Sequence, residues 1–597
     1  MTTTDGFQAY RYHMRQPALH VRDAFELTGS PELAHIDLWL SDYFRITGLN
    51  LPSAGSGEDA ARANAIAITA RALTLYGELA RASGLPSFDP GRVLRVAIGD
   101  AGRVDITVAL PIVENLHDAI FARLFHDALQ LVLGPLSLAP SPETASTLLL
   151  RIENELASKL RETTDLTSTT VTLSDFAYRS GVPFRHLGGG TMLYGWGARA
   201  QIMHSSTGLA DSVVGNRISG NKFEAARFMR AAGLPVPEHM LVQTREQALR
   251  AAETIGWPVV VKPIDRERSE GVTAFIDNEA DFLAAFDYAR EWGEAALVEK
   301  HIHGASYRIL VANGQVNYVV ERIPKCVIGN GQDTVAQLAA RGDAAREKLP
   351  PWKRLMPFPI DDLARQCLAR DGLTPDSVPA EGQRAWLRPI FSNAWGGDVA
   401  EVTDQLHPEN VQLACEVTRL FGLSIAGVDM ITPDLTRPWY ENGAVINEIN
   451  TRPQINSSLR EHRLMQFWPL MLGGDGRIPV HLIVGTGDLV GAARDRRNDL
   501  GASRHYLTTA DRTERPDGLP LVLGADTLFD RAIALILRRD VRALVLAGSL
   551  DEIVRRGLPV DGIDSLRTVG LDGAEADDAQ RRIRALIPVV EREPAEA

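Results

Sequence analysis

Gly256-Trp257-Pro258-Val259-Val260-Val261-Lys262-Pro263 is the stretch on which the reading of this chain turns. Three valines bounded by turn residues make a buried strand, and its lysine sets one ammonium at the mouth of a sheet. A triphosphate requires a point counter-ion of that kind. Lys222 precedes it in the opening turn of a helix. Behind it, Asp429 closes the run Ile425-Ala426-Gly427-Val428, and Glu448-Ile449-Asn450 ends a third strand. Glu448 and Asn450 stand two apart and so point to one face. Together with Asp429 they offer the hard oxygen donors that magnesium takes beside nucleotide phosphates. The joint pattern is a phosphate clamp for ATP and Mg2+.

Composition sharpens this. Among 63 basic residues only seven are lysines, so arginine is the default cation and a lysine at a strand end stands out. A snorkelling surface lysine is the plainer alternative for either position alone. The 597 residues suggest roughly three or four domains. No apolar run approaches the roughly 20 residues that span a bilayer, and Met1 to Gly6 lacks a basic and then apolar leader. A cytoplasmic protein without membrane association is expected. Cys326, Cys367 and Cys415 form no CxxC pair, which argues against a disulfide framework or zinc site. A net charge of -13 opposes a sequence-independent grip on nucleic acid and makes small-molecule or peptide partners the expectation.

Residues 1–170 mix helical patterns, Glu58 to Ser83 and Leu116 to Leu133, with the alternating strand Val104 to Leu110; they read as an N-terminal α/β accessory domain without a chemical motif. Residues 171–475 alternate strands and helices around the lysine strand. Asn221 to Ala232 is a helix stopped by Gly233, Thr244 to Gln247 is a capping box, and Gly256 stops the helix that follows. Glu299, at the end of a strand, is placed to accept the adenine amino proton. Residues 476–597 begin with the strand Ile478 to Val484 and continue as short α/β elements.

The middle of the chain resembles the ATP-grasp part of cyanophycin synthetases, from about Ala177 to Pro453. The resemblance is carried by Gly195-Trp196-Gly197, Gly220-Asn221-Lys222, Val259 to Pro263, Val327-Ile328-Gly329-Asn330-Gly331, Gly372 to Pro379, Ile425 to Asp429 and Glu448-Ile449-Asn450. It implies an α+β ATP-grasp core that activates a carboxylate as an acyl phosphate for attack by an amine. Carried over position by position, Lys222 and Lys262 hold the α- and β-phosphates, and Glu299, Lys300 and Ile302 meet the adenine. Arg308 and Arg388 neutralise the transferred phosphate, and Asp429, Glu448 and Asn450 carry two magnesium ions. A homo-oligomer is also implied.

The departures matter. The glycine-rich loop expected after the lysine reads Asp265-Arg266-Glu267-Arg268-Ser269-Glu270-Gly271, and Ser306 and Tyr307 replace an acid and a histidine. Acceptor-side loops differ too, and place Asn393, Trp395, Arg452, Arg460 and His462 as substrate contacts. Residues 476–575 resemble a degenerate Mur-ligase-like domain, whose P-loop position reads Gly485-Thr486-Gly487-Asp488-Leu489-Val490. Without lysine or hydroxyl after the glycines it lacks the groups a P-loop needs. The expectation is an ATP-dependent carboxylate-amine ligase with one working site. A cyanophycin-type polymer synthetase and a non-catalytic nucleotide-binding subunit are the alternatives.

Overall fold

The computed structural model describes residues 2–4, 6–27, 32–56, 59–264, 266, 270–455 and 461–590, the side chains of Asn393, Glu461 and Ala502 excepted. Contacts divide the chain into two compact units, residues 206–467 and the described parts of 1–205 with 468–597.

The 206–467 unit carries two antiparallel sheets. Helix α1 (Lys222–Ala231) begins where the Asn221 side chain accepts the Glu224 N–H at 3.0 Å. There follow β1 (His239–Val242), α2 (Arg245–Ile255), β2 (Val259–Pro263), β3 (Thr273–Ile276), α3 (Glu279–Arg290) and β4 (Ala296–Lys300), in the sheet order β3-β2-β4-β1. Val259 and Val261 are fully buried with Ala248 and Ala252 of α2 and Phe282 of α3. The two-residue strand period turns Val260 and Lys262 to the other face. Gly256, at φ 79°, ends α2 in a conformation that favours glycine. The capping box expected at Thr244 forms one arm only. Its hydroxyl accepts the Gln247 N–H at 3.2 Å, but the Gln247 side chain accepts from Gln243 N–H at 2.9 Å.

The second sheet comprises β5 (Ala305–Ala312), β6 (Gln315–Ile323), β7 (Asp398–Glu401), β8 (Ile425–Thr432) and β9 (Val445–Asn450), in the order β7-β6-β5-β8-β9. The helix Pro408–Leu420 supplies Leu413, Ala414 and Val417 to a core shared with Ile309, Val319 and Val428. The register sets Arg308 opposite Asp429 across β5 and β8, and Asp429 opposite Glu448 across β8 and β9. Residues directly opposite on paired strands share a face. Three chemically decisive side chains therefore form one row. Between β6 and β7, the paired strands Cys326–Ile328 and Arg384–Trp386 pack with the helices Val335–Glu347 and Asp362–Arg370 around Val335, Leu368 and Ala385.

In the other unit, the strands Ala18–Glu26, Arg92–Ile98 and Arg103–Pro111 form an antiparallel sheet, with the helices Ala60–Ala82 and Asp118–Leu133. Among the described residues only Asp118–Ser137 is a helical segment long and apolar enough to cross a membrane. Its Phe121, Phe125, Leu129 and Val132 are buried. The strands Val480–Gly485, His505–Thr508, Ala543–Gly548 and Ser565–Val569 pair in parallel. Their core takes in Tyr10, Leu193 and Trp196, and Trp196 N–H donates to Gly476 C=O at 2.7 Å. Residues 184–204, which the sequence places with the ATP-grasp region, thus pack in this unit, because their large side chains share its core.

Candidate active site

A cavity of about 1530 Å3 lies within the 206–467 unit; Lys222 of α1, Lys262 of β2, Arg308 of β5, Arg322 of β6, and Glu448 and Asn450 of β9 all reach its wall. That exceeds the roughly 300–1,000 Å3 of a site for one small ligand, so the cavity has room for more than one. Five strands and helices far apart in the chain converge here, which a run of local signals alone does not guarantee.

The cations are matched with acids of the same site. Lys222 Nζ lies 2.7 Å from Glu448 Oε1. Lys262 Nζ lies 2.6 Å from Glu299 Oε2, with both residues buried. Arg308 grips Asp429 at two points, Nε to Oδ1 at 2.5 Å and Nη2 to Oδ2 at 2.8 Å. Arg322 Nη1 donates to the same Oδ2 at 2.7 Å. Asp429 is only 1% exposed beneath the two guanidiniums. Burial works to raise its pKa, but Arg308 and Arg322 outweigh that and hold it below the ordinary carboxylate value. Burial likewise opposes the charge of both arginines. Asp429 reverses this for Arg308, whose pKa is raised, whereas Arg322, with Arg308 beside it, stays below its usual value.

The remaining expected residues divide. Ile302 and Arg452 reach the cavity wall. Lys300 lines it as well, but its ammonium donates to the Gly256 and Trp257 carbonyls at 2.9 Å each, tying the end of β4 to the loop before β2. Arg388 lines the cavity and is held by Asp361 at 2.7 and 3.0 Å, an arrangement that lowers the Asp361 pKa through the hydrogen bond. Trp395 is not brought to the wall, and the Arg388 guanidinium sits over its ring, 5.6 Å from the centroid. His462 is exposed on the helix Glu461–Leu472 and is not brought to the wall either. Arg460, the Asn393 side chain and most of the altered 265–271 loop lie outside the described residues.

Sequence reasoning missed Arg322. Its only local signal is polarity at the end of the strand Gln315–Ile323. Arg308 faces Val320 in the register, so Arg322, two residues on, shares that face; the pairing, not the sequence, reveals the second guanidinium. His301 also went unassigned. It lines the cavity, its Nε2 is buried without a hydrogen-bond partner, and burial, then His303 and Lys300, push its pKa down to about 4.

Among the described residues no group of three or more His, Cys, Asp or Glu side chains is gathered as a metal site. The donor set is instead two carboxylates and an amide, with Asn450 Nδ2 3.4 Å from Asp429 Oδ2. Its oxygen chemistry fits magnesium. In the 468–597 portion, Asp488 accepts the Gly491 N–H at 2.8 Å and caps the helix Leu489–Asp499. A carboxylate thus stands where a phosphate would meet a helix N-terminus.

Residues 228–329 match the family described as D-ala D-ala ligase C-terminus. The cyanophycin synthetase of a Nostoc species is 34% identical over 286 residues, 46% of this chain and 31% of that protein. The glutathione biosynthesis bifunctional protein GshAB of Mannheimia succiniciproducens is 34% identical over 239 residues, 38% of this chain and 31% of that protein. A crystal structure of a bifunctional glutathione synthetase from Pasteurella multocida superposes with a TM-score of 0.40 at 24% identity, covering 59% of this chain and 52% of that one. The match spans 31% of the length of either curated relative. The expected α+β ATP-grasp core is present, and over the matched residues the chain is cyanophycin synthetase-like.

Proposed function

We propose that this protein is an ATP-dependent carboxylate-amine ligase, joining an amino acid or short peptide to an amine through an acyl phosphate, with release of ADP and phosphate. One observation carries the reading: Lys222, Lys262, Arg308 and Arg322, from four separate elements, converge on the one cavity that Glu448 and Asn450 also reach. Phosphoryl transfer asks a protein mainly for positioning and for compensation of spread negative charge. Two lysines and two arginines supply that compensation. Asp429, Glu448 and Asn450 would hold magnesium, which supplies further charge neutralisation on the phosphate oxygens. Arg308 and Arg388 would face the transferred phosphoryl group. Glu299, Lys300 and Ile302 would border the base, the last two through the backbone.

The three regions expected from the sequence belong to this proposal: an accessory domain before the ATP-grasp core and a Mur-like domain without a second nucleotide site behind it. The Asp488 cap supports the latter, and so favours a single ligation site over a polymer synthetase with two. A cytoplasmic homo-oligomer is part of the same reading. Purified protein given ATP, magnesium and pools of amino acids is expected to release ADP only with particular pools, with a condensed product visible by mass. ADP release that ignores every pool, or no ATP binding at all, would sink it.

A further inference from the structure

The Asp429 cluster contains an imbalance that ATP binding alone does not explain. Two guanidiniums share one carboxylate. Both oxygens of Asp429 are engaged, and at 1% exposure the residue lies beneath Arg308 and Arg322, which themselves reach the cavity wall. Its neighbour across the strands, Glu448, is already paired with Lys222. Among the described residues the group formed by Lys222, Arg308, Arg322, Asp429 and Glu448 therefore carries one positive charge in excess, while both oxygens of its best hard-oxygen donor are occupied by guanidiniums.

We infer that Arg322 is a positioning residue that keeps Asp429 closed to divalent metal until an anion enters the cavity and draws its guanidinium away. This deepens the ligase reading and rests on Asp429 as a metal ligand. Arg322, not Arg308, is the member that moves. Arg308 holds Asp429 at two points, and a bidentate guanidinium-carboxylate contact is the stronger kind; Arg322 contributes a single contact at 2.7 Å. Arg322 also has somewhere else to be held, since its guanidinium lies 4.4 Å over the Phe391 ring, and Phe391 is itself at the cavity wall. Phosphate oxygens offer a guanidinium the same two-point geometry a carboxylate does. An incoming polyphosphate thus compensates the surplus charge and opens one acceptor position on Asp429 Oδ2 in one exchange, while Arg308 keeps its contact at 2.8 Å. Metal without anion meets a blocked, positively charged site, so anion and metal must bind with positive coupling, and equally in both directions.

The test is the affinity of the full-length protein for Mn2+ alone, by electron paramagnetic resonance titration without nucleotide. Wild type is expected to bind weakly, and Arg322→Met to bind Mn2+ more tightly by on the order of tenfold. Arg370→Met is the control for lost charge: Arg370 lines the same cavity but sits over the Phe275 ring. It is expected to stay within about twofold of wild type, and Asp429→Asn placed in the Arg322→Met protein is expected to erase the gain. A merely structural Arg322 predicts no tightening. If Arg322→Met does not fold, Arg322→Lys, which keeps the charge but gives up the fork, is expected to tighten binding by about threefold. The inference is overturned if the Arg322 variant matches wild type, if Arg370→Met gains as much, or if the gain survives Asp429→Asn. Calorimetry of wild type with ATP and magnesium separates the two ideas: no ATP binding removes the ligase reading, whereas ATP binding without tighter Mn2+ in the variant removes only the gate.

Discussion

Arg308 and Asp429 stand directly opposite each other on β5 and β8, and Gly427 beside them leaves room for the arginine to lie flat. A Cβ on Gly427 would fall 2.8 Å from Arg308 Cδ and 3.0 Å from Pro453 Cβ. Gly427→Ala is expected to cost about 1–3 kcal/mol by overpacking. Because the displaced atom carries the guanidinium, ADP release should drop by on the order of 10²-fold or more, as for loss of one preorganised donor. Urea unfolding and a coupled ADP assay measure the two effects; an unchanged rate would detach Arg308 from the chemistry.

Lys262 and Glu299 form a second desolvated pair, 2.6 Å apart. Removing one partner of such a pair leaves a buried charge and costs about 3–5 kcal/mol, while an apolar replacement of both is often neutral. Lys262→Met and Glu299→Leu should each destabilise the protein by that amount, and the double variant by much less. All three should lose ATP binding, read by calorimetry. A double variant as unstable as the sum of the singles would show that the pair is not the unit.

Asp488 is an N-cap and not a phosphate ligand on this structure. Asp488→Ala is expected to lower stability by about 1 kcal/mol, as for loss of a helix cap, and to leave ADP release unchanged; replacements of Leu489 should also spare the rate. Loss of activity from either change, in protein that remains folded, would mean that the carboxyl-terminal region takes part in turnover.

Burial depresses the pKa values of His186, His239, His301, His481 and His505. His301 and His481 both fall to about 4. Unfolded histidine takes up its proton near pH 6.5, so above that both states are neutral and nothing is gained or lost. As pH falls from about 6.5 toward 4, the unfolded chain binds protons the folded chain refuses, and stability declines. Thermal melts from pH 7.5 to 4.5 should show this acid limb, and His301→Phe should make it shallower. An identical limb in the variant would mean that His301 protonates freely in the fold.

Much of the fold was legible in the chain itself. The alternation Val259, Val261 against Val260, Lys262 determined a strand with one buried and one open face, and Asn221, Gly233 and Gly256 marked where helices begin and end, because capping and left-handed backbone are local chemistry. The candidate residues Lys222, Lys262, Asp429, Glu448 and Asn450 were legible too, since lysine is scarce here and strand-end acids are conspicuous. What only the tertiary structure decided is pairing. Strand register set Arg308, Asp429 and Glu448 in one row and brought Arg322 onto Asp429 from a strand whose only local signal is polarity near its end. It also committed Glu299 to Lys262, turned Trp395 into a shelf for Arg388, and joined residues 184–204 to the carboxyl-terminal core. Local sequence fixes the dihedral angles and the face a side chain takes; which distant charge it meets depends on long-range packing, where a single register step exchanges every partner.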